Sequence, residues 1–357
     1  MLFFEAAAGK NHSSGSIQSP IKKGHRVVIM WLLICCALIF AMVVLGGVTR
    51  LTQSGLSMVN WKPIMGVIPP LSEFEWNQAF NQYKQFPEFQ FVNQDMTLAG
   101  FKSIYLVEWA HRVLGRLIGI CFFVPFVFFV LRGMIDRTVI GKLLFIFLLG
   151  GLQGLMGWYM VKSGLVDNPH VSQYRLAAHL SLAVLIYGLI FWVALDLIAS
   201  RVKPAKGENR FAFLLLVLVS VMIISGAFVA GTRAGFIMNT FPTMHGQWLP
   251  DGLFVGSPIW RDLFENTVTI QFIHRCGALL VFVSVVYFFV REIMRGVVAK
   301  KQLAVWLLLG ATLLQIFLGI STLLMRVPIV LGAAHQGGAL LLFTAAIFTF
   351  HIYSRSE

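Results

Sequence analysis

The stretch EWAHRVLGRLIGICFFVPFVFFVL, Glu108 to Leu131, puts an acid, a histidine and two arginines at the head of a segment apolar enough to sit in lipid. Ionisable groups inside a bilayer are expensive, so they face a partner, a cavity or a pathway rather than hydrocarbon. What surrounds this polar head is therefore the first question the sequence raises.

The chain has 357 residues, 58% hydrophobic and 12% charged, with a mean hydropathy of +0.80. That apolar content exceeds the level of a water-soluble domain. Apolar runs near the roughly 20 residues that cross a hydrocarbon core recur at 27–47, 104–131, 142–161, 174–199, 211–230, 267–290, 303–325 and 328–352. The expected fold is an all-α integral membrane protein with eight transmembrane helices. Its net charge of +13 is distributed by loop, with Lys22, Lys23, Arg26, Lys203, Arg210, Lys300 and Lys301 on one side of the spans. The positive-inside rule puts these residues and both termini in the cytoplasm. The charge thus speaks for a lipid bilayer and against nucleic acid as partner. Cys35, Cys36, Cys121 and Cys276 all fall within expected spans and give no disulfide framework. Residues 1–26, which include SSGSIQSP and lack a cleavage pattern, read as a cytoplasmic tail.

The two halves repeat each other. GGVTRLTQSG after the first span matches VAGTRAG after the fifth, and NWKP matches NTFP; EWAHRVLG matches QFIHRCG, LQGLMG matches LQIFLG, and LAAHLSLA matches GAAHQGGA, all in the same order. Polar residues shared at matched depth mark a tandem repeat. Because each half has an even number of spans, the halves are parallel repeats about an axis along the membrane normal. The expected organisation is a tail (1–26), an N-terminal four-helix half (27–200), a cytoplasmic linker (201–210) and a C-terminal four-helix half (211–357). The long external connections, 48–103 and 231–266, contain Trp61, Trp76, Trp248 and Trp260. They read as interfacial amphipathic helices, and a lid over an outward-facing site is the functional alternative compatible with that.

Of nine histidines, His12, His25, His170, His245 and His351 belong to tails, loops or a span end. His111, His179, His274 and His335 instead lie on the four even-numbered spans, roughly 10 to 14 Å inside the external end. Two imidazoles approaching one level from opposite sides form the axial pair of a six-coordinate haem. Ala177, Ala178, Ala333 and Ala334 leave room for its flat face. No further ligand sits at matching spacing in both halves to build zinc or copper. Arg112 and Arg275 directly follow histidines, and Arg50, Arg116, Arg175 and Arg233 lie near the same external level. These arginines are candidates for haem propionates, which guanidinium groups meet with bidentate charge-assisted bonds.

The acid is not repeated. Glu108 precedes His111 by one helical turn, whereas Gln271, a supporting amide, holds that place before His274. An amide cannot take up a proton or stabilise a developing cation as a carboxylate does. The N-terminal site is thus the candidate for reaction, and the C-terminal site for a resident cofactor. An ion pair of Glu108 with Arg112, its i+4 neighbour, is the structural alternative.

GGVTRLTQSGLSM, NWKP, EWAHRVLGR, LAAHLSLA, FIHR and GAAHQGGA together resemble the haem A synthase family, over nearly the whole chain. The family oxidises a ring methyl of haem O to the formyl group of haem A, for cytochrome oxidase. The resemblance implies that His274 and His335 ligate a haem b cofactor. It likewise implies that His111 and His179 bind the iron of the substrate haem, with Glu108 the essential acid. It further implies a bacterial inner membrane or the mitochondrial inner membrane, contact with haem O synthase and an electron-transfer partner, and leaves a homo-oligomer open. Some members carry a cysteine pair in the first external loop; with none between Cys36 and Cys121, this chain resembles the subgroup without it. Two other classes compete. One is a bis-His di-haem electron-transfer protein of quinol or cytochrome type. The other is a transporter, which predicts broken helices, although Pro125 is the only mid-span proline.

Overall fold

The computed structural model describes residues 23–59, 65–165, 169–199 and 210–355. Asn60 to Pro63 of the NWKP motif, most of the N-terminal tail and nearly all of the linker lie outside the described residues. The spanning helices are α1 (Lys23–Leu51), α4 (Leu98–Leu131), α5 (Arg137–Lys162), α6 (Gln173–Ile198), α7 (Arg210–Gly231), α8 (Thr267–Met294), α9 (Ala299–Leu324) and α10 (Ile329–Tyr353). All eight are long and apolar enough to cross a membrane. In the first long connection, between α1 and α4, α2 (Glu73–Tyr83) and α3 (Pro87–Phe91) are helical, while the second, between α7 and α8, holds only short 3-10 turns at Ala234–Phe236 and Ile259–Leu263. The expected loop helices therefore form in the first connection alone.

Several helices run past their apolar runs. α1 continues through GGVTR, so Arg50 lies in its last turn rather than beyond it. α4 begins six residues early because Thr97 caps it, its side chain accepting from the Gly100 amide; a cap of this kind satisfies a terminal N–H that has no intrahelical partner. α2 starts on a full capping box in which Ser72 and Glu75 exchange hydrogen bonds.

Each half packs as a four-membered ring. α1 contacts α4 and α6, and α5 contacts the same two helices, so α4 and α6 lie diagonally. In the second half α7 and α9 each contact α8 and α10, which are diagonal in turn. The halves meet where α1 contacts α10, α6 contacts α7, and α6 contacts α10. There the Tyr187 and Thr344 hydroxyls are 2.7 Å apart, and a Cβ at Gly188 would stand 3.1 Å from the Phe343 ring. At the end of the bundle opposite these two long connections, Asp196 of α6 accepts from His351 at 3.1 Å and from Arg355, tying α6 to the end of α10. At the end of the bundle with the long connections, Trp76, Phe80, Tyr83 and Phe101 form a buried aromatic cluster that seats α2 and α3 on the N-terminal end of α4.

Pro125 does not break α4, which is continuous from Leu98 to Leu131. Proline lacks the N–H that would bond the carbonyl four residues back, here Cys121. In hydrocarbon that carbonyl needs another donor, and Trp31 Nε1 of α1 supplies it at 2.8 Å. Trp31→Phe should therefore lower thermal stability by about 1 to 3 kcal/mol, the range for a buried unpaired polar group. Adding Pro125→Ala, which restores the N–H, should recover most of the loss; additive effects in detergent-solubilised thermal unfolding would contradict this coupling.

Candidate functional site

All four span histidines line one cavity of about 1840 Å³ that extends through both halves. Small-molecule pockets occupy about 300 to 1,000 Å³, so this one has room for two large ligands. His111 and His179 come from the diagonal helices α4 and α6, and His274 and His335 from the diagonal helices α8 and α10. The two imidazoles of each half thus approach the bundle interior from opposite sides.

Every imidazole rests against a glycine of an adjacent helix. An added Cβ would lie 3.4 Å from His111 at Gly46, 3.1 Å from His179 at Gly157, 3.4 Å from His274 at Gly226 and 2.9 Å from His335 at Gly319. At the last of these any side chain would displace the ring. Two matched glutamines hold the second histidine of each pair. Gln153 of α5 donates to the His179 carbonyl at 3.1 Å, and Gln315 of α9 donates to the His335 carbonyl at 3.1 Å. His274 Nδ1 lies 3.1 Å from Ser225 Oγ, which orients the ring and leaves Nε2 for a ligand. Nδ1 of His179 and of His335 is buried without a hydrogen-bond partner. Buried nitrogens of that kind are ordinarily satisfied, so these fit a site that a ligand completes. Among the described residues no three His, Cys, Asp or Glu side chains cluster as a metal site. Paired imidazoles in an apolar slot fit haem iron, not a zinc or copper cage.

A sequence model of the COX15-CtaA family, described as cytochrome oxidase assembly protein, matches residues 29–347. The chain is 50% identical to "Heme A synthase" of Nitrosospira multiformis, over 96% of each chain. It is 44% identical to "Heme A synthase COX15" of Homo sapiens, over 94% of this chain and 84% of that one. The chain belongs to the COX15-CtaA family. The match spans both halves, so the whole cavity lies within the family's shared region.

The roof over the N-terminal half of this COX15-CtaA protein is built on Glu108, which is 3% exposed. Its Oε1 accepts from Arg112 Nη2 at 2.5 Å and Nε at 3.1 Å, and its Oε2 accepts from Ser57 Oγ at 2.7 Å and the Met58 amide at 2.8 Å. Arg112 also donates to the Met58 carbonyl at 2.8 Å. The ion pair given as the alternative is thus present, and Glu108 lines the cavity as well. In the other half Arg275 donates to the Met238 carbonyl at 2.7 Å and to the Thr240 carbonyl at 2.8 Å. Gln271 takes the place of the acid but reverses the polarity, donating from Nε2 to the Met238 carbonyl at 3.3 Å.

Arg50, Arg116 and Arg233 join Arg112 and Arg275 on the cavity wall, and Arg233 holds its backbone at φ 58. Arg175 is not brought to the cavity. Its guanidinium donates to the Tyr159 carbonyl at 2.8 Å and stacks 3.8 Å from the Tyr159 ring centroid. The residues not anticipated were Ser57 and Met58, whose signal was the methionine shared by GLSMVN and GFIMNT, and Glu88, which had none.

Glu88 of α3 is 4% exposed and lines the cavity at its loop end. It accepts from the Tyr83 hydroxyl at 3.0 Å, which accepts from Asn93 Nδ2 at 2.8 Å. Burial pushes its carboxyl up to about 7, with the charge of Glu108 adding to the rise and the Tyr83 hydrogen bond opposing it. An acid raised on folding stabilises below its unfolded value, and that stability is lost as pH rises through the folded value. The melting temperature should therefore fall between about pH 4.5 and about pH 7. Glu88→Gln should flatten that fall; an unchanged pH profile of thermal unfolding would contradict it.

Proposed function

We propose that this protein is a haem A synthase, an inner-membrane oxidoreductase that converts haem O to haem A for cytochrome oxidase. The observation that carries the reading is the unequal pair of roofs over otherwise matched histidine sites. Where Arg112 and Arg275 each grip a loop methionine carbonyl, only the N-terminal half adds a carboxylate. Family membership over nearly the full chain supports the same activity.

In this reading the halves are parallel tandem repeats with both termini cytoplasmic, and their roles have diverged. The N-terminal half takes the substrate haem O, with His111 and His179 as iron ligands. The C-terminal half holds haem b through His274 and His335, whose imidazoles, glycine seats and orphaned Nδ1 fit such a group. Bound there, haem b supplies one-electron transfer. Arg50, Arg112, Arg116, Arg233 and Arg275 give the apolar cavity the cationic lining that propionates need, with Gln271 supporting the second roof. Arg175, fixed on Tyr159, stands outside that lining and serves at the external interface.

The substrate's ring methyl passes through an alcohol and a gem-diol, which loses water to give the aldehyde; each oxidation takes up the oxygen of one water and releases two protons and two electrons, the electrons leaving one at a time to the electron-transfer partner. Glu108 stabilises positive character at the reacting carbon and takes up the proton released there. Of its donors, Arg112 and the Met58 amide are fixed in direction, whereas the Ser57 hydroxyl can rotate. The lone pair facing Ser57 is therefore the one freed to accept a proton. Haem O synthase upstream and an electron-transfer protein beside the C-terminal half complete the scheme.

Glu108→Gln makes the first roof resemble the second. Haem chromatography of the purified variant should find haem retained and haem A reduced at least a hundredfold, the scale of a lost general acid-base group. His274→Ala or His335→Ala should deplete haem b. Wild-type haem A in Glu108→Gln would overturn the role of the acid.

A further inference from the structure

Each oxidation in the proposed scheme releases two protons, and the Glu108 carboxylate can hold one. On the assignment of the N-terminal half as the reacting half, Glu108 must pass that proton on before it can act again. Its own surroundings offer no acceptor side chain: Arg112, the Ser57 hydroxyl and the Met58 amide all donate to it. The cycle therefore requires a second acceptor on the same cavity.

Glu88 and Glu108 are the only carboxylates among the described residues that line the cavity. Glu88 is 4% exposed, yet among the described residues its side chain accepts a single hydrogen bond, at Oε2 from the Tyr83 hydroxyl at 3.0 Å. Tyr83 is fully buried, and Asn93 Nδ2 donates to its hydroxyl at 2.8 Å. A buried carboxylate with one oxygen lacking a donor is costly, and an amide or an apolar side chain of similar size would pack there without that cost. Packing alone does not account for an acid at this place. A strained acid in a cleft is instead the mark of a working group.

The second half supplies the comparison. Its long connection also buries an acid, Asp262, at 5% exposure. Asp262 accepts from the Gly256 amide at 3.0 Å and from Asn266 Nδ2 at 3.1 Å, so it holds its own loop, and it is not part of the cavity wall. The second connection gives the cavity Phe241, Pro242, Met244 and Trp248. Helices α2 and α3, the latter carrying Glu88, form in the first connection alone. Both acids of the cavity thus belong to the half in which protons are released.

We propose that Glu88 is the second station of a proton relay, taking up the proton that Glu108 receives from the substrate and releasing it at the loop end of the bundle. The hop runs through the cavity that both carboxylates line. An O–H bond of the Glu108 acid breaks and an O–H bond forms at Glu88 Oε1, the oxygen without a donor; no electrons move. Glu108 returns to its carboxylate and can take the second proton. Groups from three elements face Glu88 and set when it is open. Burial and the charge of Glu108 raise its carboxyl to about 7, while the Tyr83 hydroxyl and the charge of Arg233 oppose the rise. An acid poised there both accepts and gives up a proton near neutral pH. Only the short α3 separates it from the loop surface, where Phe91 and Val92 are exposed.

The test is the rate of haem A formation per bound haem O, measured across neutral pH with the full-length protein in membranes supplied with haem O. Glu88 accepts a proton only when ionised, so the wild-type rate should fall as pH drops through about 7. Glu88→Gln should remove that step and lower the rate about tenfold, short of the loss of a direct acid-base group. Haem b and bound haem O should stay at their wild-type ratios to protein. Glu88→Asp, which keeps a carboxyl, should recover part of the rate and a pH step. Tyr83→Phe should move the step to higher pH, because the hydroxyl holds the Glu88 carboxyl down; it reads the relay should Glu88→Gln not be recovered. Lower haem content with the pH step still in place would mean that Glu88 only seats α3, and would overturn the relay. An unchanged rate and pH profile in Glu88→Gln, with Glu108→Gln inactive, would overturn the relay and leave the assignment of the halves intact. Unchanged rates in both variants would overturn that assignment, and the relay with it.

Discussion

Polar groups that enter hydrocarbon must find partners within the protein, and the architecture follows from how four imidazoles are accommodated there. Each is seated on a glycine of an adjacent helix: Gly46, Gly157, Gly226 and Gly319. The diagonal placing of α4 with α6, and of α8 with α10, turns that seating into two slots that share one cavity. The same constraint explains the bond from Trp31 to the Cys121 carbonyl that Pro125 leaves free. It also explains why the arginines beside His111 and His274 are spent on loop carbonyls.

The two halves share this scaffold and differ in small, local ways. Glu108 accepts from the Met58 peptide where Gln271 donates to the Met238 peptide, so one atom type at the roof sets the direction of the hydrogen bond and the capacity for proton uptake. Gly150, Gly151 and Gly154 of α5 line the cavity in one half where Thr312, Leu313 and Ile316 of α9 line it in the other. Such changes leave the packing that holds the helices alone.

Much of this was legible from residue types. Eight spans follow from composition, since lipid demands long apolar runs, and the four histidines stood out because polar residues at matched depth have few reasons to recur. What escaped depended on tertiary proximity. Ser57 and Met58 reach Glu108 across 51 and 50 positions of sequence, and no periodicity encodes such a contact. Arg175 lies one turn from His179 and was expected at the cavity. A long side chain takes the nearest carbonyl and aromatic face, and Tyr159 offers both. Glu88 escaped because its burial is made by α2, α3 and the outer end of α4, none of which an apolar-run reading resolves.

The central claim is that one chain holds two haems in separate bis-histidine slots. Electron paramagnetic resonance of the oxidised protein, loaded with haem b and haem O, tests it most directly. Two low-spin ferric signals are predicted, one lost in His111→Ala and the other in His274→Ala. A single signal abolished by either substitution would mean one haem bridging the halves, and would contradict the account.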